Sequence, residues 1–189
     1  MNPTIELLLT PRPLERIASE VAVVGFFADE RPLREGAARA DWRLCGGLSR
    51  RIEEGDLSGK SGEALLIGCG PALASPRLML LGLGERRSFD RARVRDEVRL
   101  AVGRCLSLGC RQIALAPLGI ASDDIPRHAA ELIAGIHDAS KAPAQPISLF
   151  IPVPTSEIPG VLRAFDQARK ALGGIAFRIR ADGTERVDG

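Results

Sequence analysis

Three short stretches set glycine beside residue types that bind phosphate in proteins: Gly59-Lys60-Ser61, Gly82-Leu83-Gly84 and Pro117-Leu118-Gly119-Ile120-Ala121-Ser122. The first does not meet the requirement for a nucleotide-triphosphate loop. That loop needs a glycine five positions before its second one, where Glu54 stands, and Gly55 is one position too close. A helical pattern, not a strand, also leads into it. The second stretch lacks the last glycine of a dinucleotide fingerprint. Arg87 occupies that position, and its side chain would hold helix and strand apart. The third stretch follows an apolar strand pattern and leads into a helix, so its amides can face an anion. By the rule that ligands sit beyond the carboxyl ends of strands, the ends of the apolar runs at Phe26 and Leu83 belong beside it. The candidate ligand-binding residues are Gly25, Phe26, Leu118, Gly119, Ile120 and Ser122, and a small anion is the chemistry they suit.

Other reactive residues are thinly spread. The cysteines (Cys45, Cys69, Cys105, Cys110) form no C-x-x-C pair, and His128 and His137 lie too far apart to ligate one metal from a single helix. No metal site, cofactor or catalytic residue is expected. Asp123-Asp124 reads as a helix cap. The arginines Arg86, Arg87, Arg91, Arg93, Arg95 and Arg99 interleave with Asp90, Asp96 and Glu97, which reads as a solvated face with local ion pairs.

A net charge of +2, no tyrosine and a single tryptophan, Trp42, argue against a nucleic-acid surface, which needs a basic field and stacking faces. The amino terminus lacks the basic-then-apolar pattern of a signal peptide, and no apolar run is long enough to span a bilayer. A cytoplasmic protein with reduced thiols is expected.

The elements that must position the candidate residues follow from periodicity. The continuous apolar run at residues 21–27 reads as a strand covered on both faces and 112–117 as a buried strand, with further strands at 4–9, 64–68, 77–83 and 147–153. Ala37, Ala40, Leu44, Leu48 and Ile52 give one helix over 33–54, weakened at Gly46-Gly47. Further helices are expected at 89–108 with Ser88 as cap, from Asp124 with Pro126 in the first turn, and from Ser156 to Leu172. Asp182-Gly183 signals a hairpin within 175–187. Strands alternating with helices predict an α/β fold with helices on both faces of a sheet. The expected division is a domain over 1–174 and a carboxy-terminal hairpin or tail over 175–189.

Three segments in this order resemble the amino-terminal domain of the leucine aminopeptidase (cytosol aminopeptidase) family. They are Val23-Val24-Gly25-Phe26-Phe27-Ala28-Asp29-Glu30, the loop from Gly55 to Glu63, and Leu80-Leu81-Gly82-Leu83-Gly84 with the helix after it. The resemblance implies a three-layer α/β/α sandwich with a mixed sheet, similar to the macro domain. It places the family's peptidase chemistry in a second domain. The signature Asn-Thr-Asp-Ala-Glu-Gly-Arg-Leu does not occur in this sequence, so no aminopeptidase activity is expected. The expectation is a stand-alone, non-catalytic interaction, assembly or regulatory module that self-associates or docks onto another protein. The alternative is a nucleotide or ADP-ribose-type binder. In position the 117–122 loop resembles the phosphate loop of ADP-ribose-binding macro domains, but it has fewer glycines, and Phe26-Phe27-Ala28-Asp29 stands where those domains carry Asn-Ala-Ala-Asn.

Overall fold

A computed structural model of the chain describes residues 5–140, 145–172 and 177–182. In chain order the elements are β1 (Ile5–Thr10), β2 (Val21–Phe26), α1 (Glu35–Arg43), α2 (Gly47–Glu53), β3 (Ala64–Gly68), β4 (Arg77–Gly82), α3 (Arg91–Ser107), β5 (Gln112–Leu115), α4 (Ala129–Ala139), β6 (Ile147–Pro152), α5 (Ile158–Leu172) and β7 (Phe177–Ala181). The strands form one seven-stranded sheet in the order β3-β4-β2-β5-β6-β1-β7. All pairings are parallel except β3 with β4. This is a mixed sheet in a three-layer α/β/α sandwich.

The continuous apolar runs end up in the middle because both faces of the sheet are covered. Val21 and Val23 point to one side, where they pack with Val98, Ile133 and Phe165 of α3, α4 and α5. Ala22, Val24 and Phe26 point to the other side, against Ala37, Ala40 and Leu48 of α1 and α2. Each fully buried aliphatic side chain contributes roughly 1.5–3 kcal/mol, which favours apolar residues on both faces of β2.

Three local expectations need correction. The helix over 33–54 is two helices. Cys45 (φ 53°) and Gly46 (φ 78°) take left-handed backbone between them. Asp41 of α1 then caps α2, accepting from the N–H groups of Leu48 at 2.8 Å and Ser49 at 3.1 Å and from the Ser49 hydroxyl at 2.5 Å. The cap of α3 is Asp90, which accepts from the Arg93 N–H at 3.0 Å; the Ser88 hydroxyl donates instead to the Glu85 carbonyl at 3.0 Å. Residues 122–128 form a 3-10 turn ahead of α4, and no side chain caps it, so Asp123 and Asp124 are not caps; Asp124 pairs with Arg127 at 3.0 Å. At the carboxy terminus, β7 pairs in parallel with β1, and the Asp182 N–H donates to the Leu9 carbonyl at 2.7 Å. The rest of the expected hairpin lies outside the described residues.

Glu20 ties the amino ends of β2 and β5 together. Its carboxylate accepts from the N–H groups of Gln112 (2.9 Å) and Arg111, which hold its pKa below the ordinary value of 4.5 against a smaller opposing effect of burial. Among the described residues no helix is long and apolar enough to cross a membrane.

Candidate functional site

β2 and β5 are neighbours whose exits run to opposite faces. β2 leads into α1 on one side, and β5 leads through the 122–128 turn into α4 on the other. The chain therefore diverges there and leaves a crevice at the strand ends, the usual ligand position in such sheets. Two adjoining hollows fill it. One, of about 100 Å³, lies between Gly25, Phe26, Phe27, Gly36, Gly119 and Ile120. The other, of about 260 Å³, lies between Pro13, Gly36, Arg39, Pro117, Ile120 and Ser122.

The structure thus brings five of the six sequence-derived candidates to the crevice: Gly25, Phe26, Gly119 and Ile120 line the first hollow, and Ile120 and Ser122 the second. Leu118 lines neither. It is fully buried in the core between the sheet and α3–α5. Phe26 and Phe27 do not offer free ring faces. Both are buried, with Arg31 5.1 Å over the first ring and Arg86 5.0 Å over the second, and Phe27 meets Phe89 edge to face at 5.0 Å.

Sequence reasoning missed the first turn of α1. The N–H groups of Glu35, Gly36 and Ala37 have no hydrogen-bond partner among the described residues, nor do those of Leu118, Gly119 and Ile120. Of these residues, Glu35, Gly36, Ala37, Gly119 and Ile120 border the crevice. Gly36 allows this approach: a Cβ there would lie 3.2 Å from the Ala116 Cβ and 3.4 Å from a Val24 methyl. The available sequence signal was a glycine in the first turn of a predicted helix, without a polar cap before it. Around the rim, Glu30 is held by Arg34 at 3.1 Å and Arg86 at 3.4 Å, whereas Arg39 has no ion-pair partner among the described residues. The rim therefore offers amide donors and the Arg39 guanidinium, beside the side chains of Glu30 and Glu35.

The glycine-rich loop at 55–62 has a different job. Glu63 of the same loop accepts from the N–H of Ser58 (2.8 Å), the N–H of Gly59 (2.9 Å) and the Ser58 hydroxyl (2.8 Å). Burial raises the Glu63 pKa, but these bonds outweigh it and leave the value below 4.5. The amides that would cradle a phosphate are occupied by the chain's own carboxylate. Ser61 donates to the buried Glu97 of α3 at 2.5 Å.

The arginine-rich segment is engaged throughout, largely by partners distant in sequence. Arg86 meets Glu30, Arg91 meets Glu131 at 3.9 Å, Arg95 meets Asp138 at 2.5 Å, Arg99 meets Asp96 at 3.6 Å, Arg87 meets Glu85 at 2.8 Å, and Arg93 donates to Ser61 at 3.2 Å. Cys69, Cys105 and Cys110 are buried free thiols, and burial pushes Cys105 up to about 12. Among the described residues no group of three or more His, Cys, Asp or Glu is placed to hold a metal ion.

A fold of this kind is shared by solved proteins of two sorts. A tomato leucine aminopeptidase variant superposes with a TM-score of 0.66 at 21% identity, over 88% of this chain and 36% of that one. An Oceanobacillus iheyensis macrodomain variant superposes with a TM-score of 0.65 at 11% identity, over 87% of this chain and 92% of that one. In sequence, the family model for the amino-terminal domain of cytosol aminopeptidases matches residues 23–140. The chain belongs to that family. It is 32% identical to a probable cytosol aminopeptidase of Nitrosococcus oceani over 104 residues, and 37% identical to one of Idiomarina loihiensis over 82 residues. These matches take in 55% and 43% of this chain, and about a fifth or less of each relative, 21% and 16%.

Proposed function

We propose that this chain is a non-catalytic interaction and assembly module built on the amino-terminal domain of the cytosol aminopeptidases, and that it self-associates. The observation that carries the reading is where its surface is apolar. The exposed large apolar residues include Trp42 (77% exposed), Leu66 (40%) and Leu108 (47%). Leu66 lies on the edge strand β3 and Leu108 at the end of α3, beside Met79 of β4, while Trp42 lies on α1. The turn after Trp42 contributes Leu44 to a groove with Leu65, Ile67 and Gly68. Exposed leucines beside an uncovered sheet edge resemble a protein contact more than an ordinary surface. Light scattering over a range of micromolar concentrations is expected to give a mass above the 20.2 kDa of one chain. A single-chain mass throughout that range overturns the reading.

A second reading is favoured by the two sets of unpartnered amides that meet at the crevice. Amides without an acceptor are costly when shielded from water, and a phosphate supplies several acceptors at once. One fold neighbour, an Oceanobacillus iheyensis macrodomain variant, is described with ADPR, at a TM-score of 0.57 and 13% identity. On this reading the crevice takes the phosphate portion of a nucleotide or of ADP-ribose. The hollows are small beside the ~300–1,000 Å³ of typical ligand sites, so affinity in the high micromolar range or weaker is expected. Calorimetry with ADP-ribose tests it, and absence of heat at millimolar ligand ends this reading.

A further inference from the structure

The two edges of the sheet are built differently. β7, at one edge, carries Arg178 and Arg180, with Arg180 3.5 Å from Glu6 of β1. Charged side chains on an edge strand are a common guard against pairing with another chain. β3, at the other edge, reads Ala64-Leu65-Leu66-Ile67-Gly68 and has no charge and no proline.

The hydrogen bonds of β3 fix which groups it presents outward. The Gly82 N–H donates to the Glu63 carbonyl at 3.0 Å, and the Cys69 N–H donates to the Pro76 carbonyl at 2.9 Å. Because bonding alternates along an antiparallel pair, Leu65 and Ile67 also turn their N–H and C=O groups toward β4. Ala64, Leu66 and Gly68 therefore turn theirs away from the sheet.

Resting on the self-association proposed above, we infer that the contact is an antiparallel pairing of β3 with β3 of a second copy, centred on Leu66. In that register Leu66 faces the partner's Leu66, and Ala64 faces the partner's Gly68. Every outward N–H and C=O of these residues then finds an acceptor or donor. The side chains agree with the backbone. Leu66 shares a sheet face with Met79, its partner in register on β4, next to a groove lined by Leu100, Gly103 and Leu108. Leu65 would meet the partner's Ile67 on the opposite face, beside Leu44. The small residues sit at both ends of the segment, so the twofold arrangement sets small against small and large against large.

Charge selects a second copy over an acidic peptide. Arg51 is paired with Asp56 at 2.9 Å and Arg99 with Asp96 at 3.6 Å, and Arg104 donates to the Gly62 carbonyl at 2.5 Å. These are the arginines that border the two grooves. With each already engaged inside its own chain, an acidic strand gains no free cation, and a second copy meets no unbalanced positive rim.

The test is the full chain with Leu66→Lys, compared with Trp42→Ala. Leu66→Lys is expected to raise the dissociation constant of the dimer at least about tenfold, with unchanged circular dichroism. Trp42→Ala is expected to leave it within about threefold. Hydrogen exchange on the unaltered protein gives an independent readout. The N–H groups of Ala64, Leu66 and Gly68 should gain protection as concentration rises, while those of Leu65 and Ile67 are protected throughout. A dimer that survives Leu66→Lys, or exchange at Leu66 that is blind to concentration, overturns the edge pairing and leaves self-association through another surface standing. A wild-type protein that is monomeric throughout overturns both.

Discussion

Gly82→Val is expected to cost roughly 3 kcal/mol or more of folding stability, a large share of the ~5–15 kcal/mol available to a domain. A Cβ at Gly82 would lie 2.3 Å from the Lys60 carbonyl oxygen, 2.7 Å from the Gly59 carbonyl carbon and 2.9 Å from the Gly59 oxygen. These are backbone atoms, so no side chain can rotate away. The 59–61 loop would have to move as a unit, and several other contacts depend on it. The Gly84 N–H donates to the Gly59 carbonyl at 2.8 Å, and the Ala28 N–H donates to the Gly84 carbonyl at 2.8 Å. Ser61 would leave Glu97, which is 1% exposed, stranding a carboxylate away from water. The loop that looks like a phosphate cradle is a strap that joins the ends of β4 and β2. Gly103→Ala in α3 is the control: a Cβ there meets nothing within 4 Å, and a mid-helix glycine replaced by alanine gains up to about 1 kcal/mol. Urea denaturation of the two variants should therefore move in opposite directions. Equal stability of Gly82→Val and the parent protein would show that the strap is slack.

The layers of this fold were legible in the sequence because burial on two faces leaves an unmistakable trace. Val21 to Phe26 is apolar without a break, and it lies inside the sheet between β4 and β5. The family was legible too, from three segments whose order mattered more than any one of them. The break between α1 and α2 was not. Ala37, Ala40, Leu48 and the half-buried Leu44 and Ile52 all face the same core, so the helical spacing runs on across a corner where the backbone turns left-handed. Asp41 looked like a surface acid within a helix, and only the fold shows it capping the next one. Strand pairing is nonlocal, and nothing in 64–68 or 177–181 announces that one runs antiparallel and the other parallel. In the crevice, the glycine loop after β5 was readable from its place between strand and helix. The opposing amides of α1 were not read, because their one trace, Gly36 in an uncapped first turn, does not say what the turn faces.

Gly119→Val bears directly on that crevice. Gly119 has φ 70°, the left-handed region that costs a residue with a Cβ about 1–2 kcal/mol. Its Cβ would also lie 2.7 Å from two ring carbons of Phe89 and 2.9 Å from Phe27 Cζ. The rings pack against each other at 84° between buried strands and α3, so a shift of one displaces the other. Overpacking of this kind adds about 1–3 kcal/mol. The melting temperature is expected to fall by roughly 10 °C. The loop is the easier part to move, because the N–H groups of Leu118, Gly119 and Ile120 have no partner among the described residues and its buried anchors are the side chains of Leu118 and Ile120. Any affinity for a phosphate ligand should therefore disappear at temperatures where the variant is still folded, while dimer formation at the distant β3 edge persists. A variant that melts within about 2 °C of the parent would show that residues 117–122 already occupy more than one arrangement around the two rings. Loss of the dimer from a still-folded variant would show that the crevice and the β3 edge are coupled through β2 and β4.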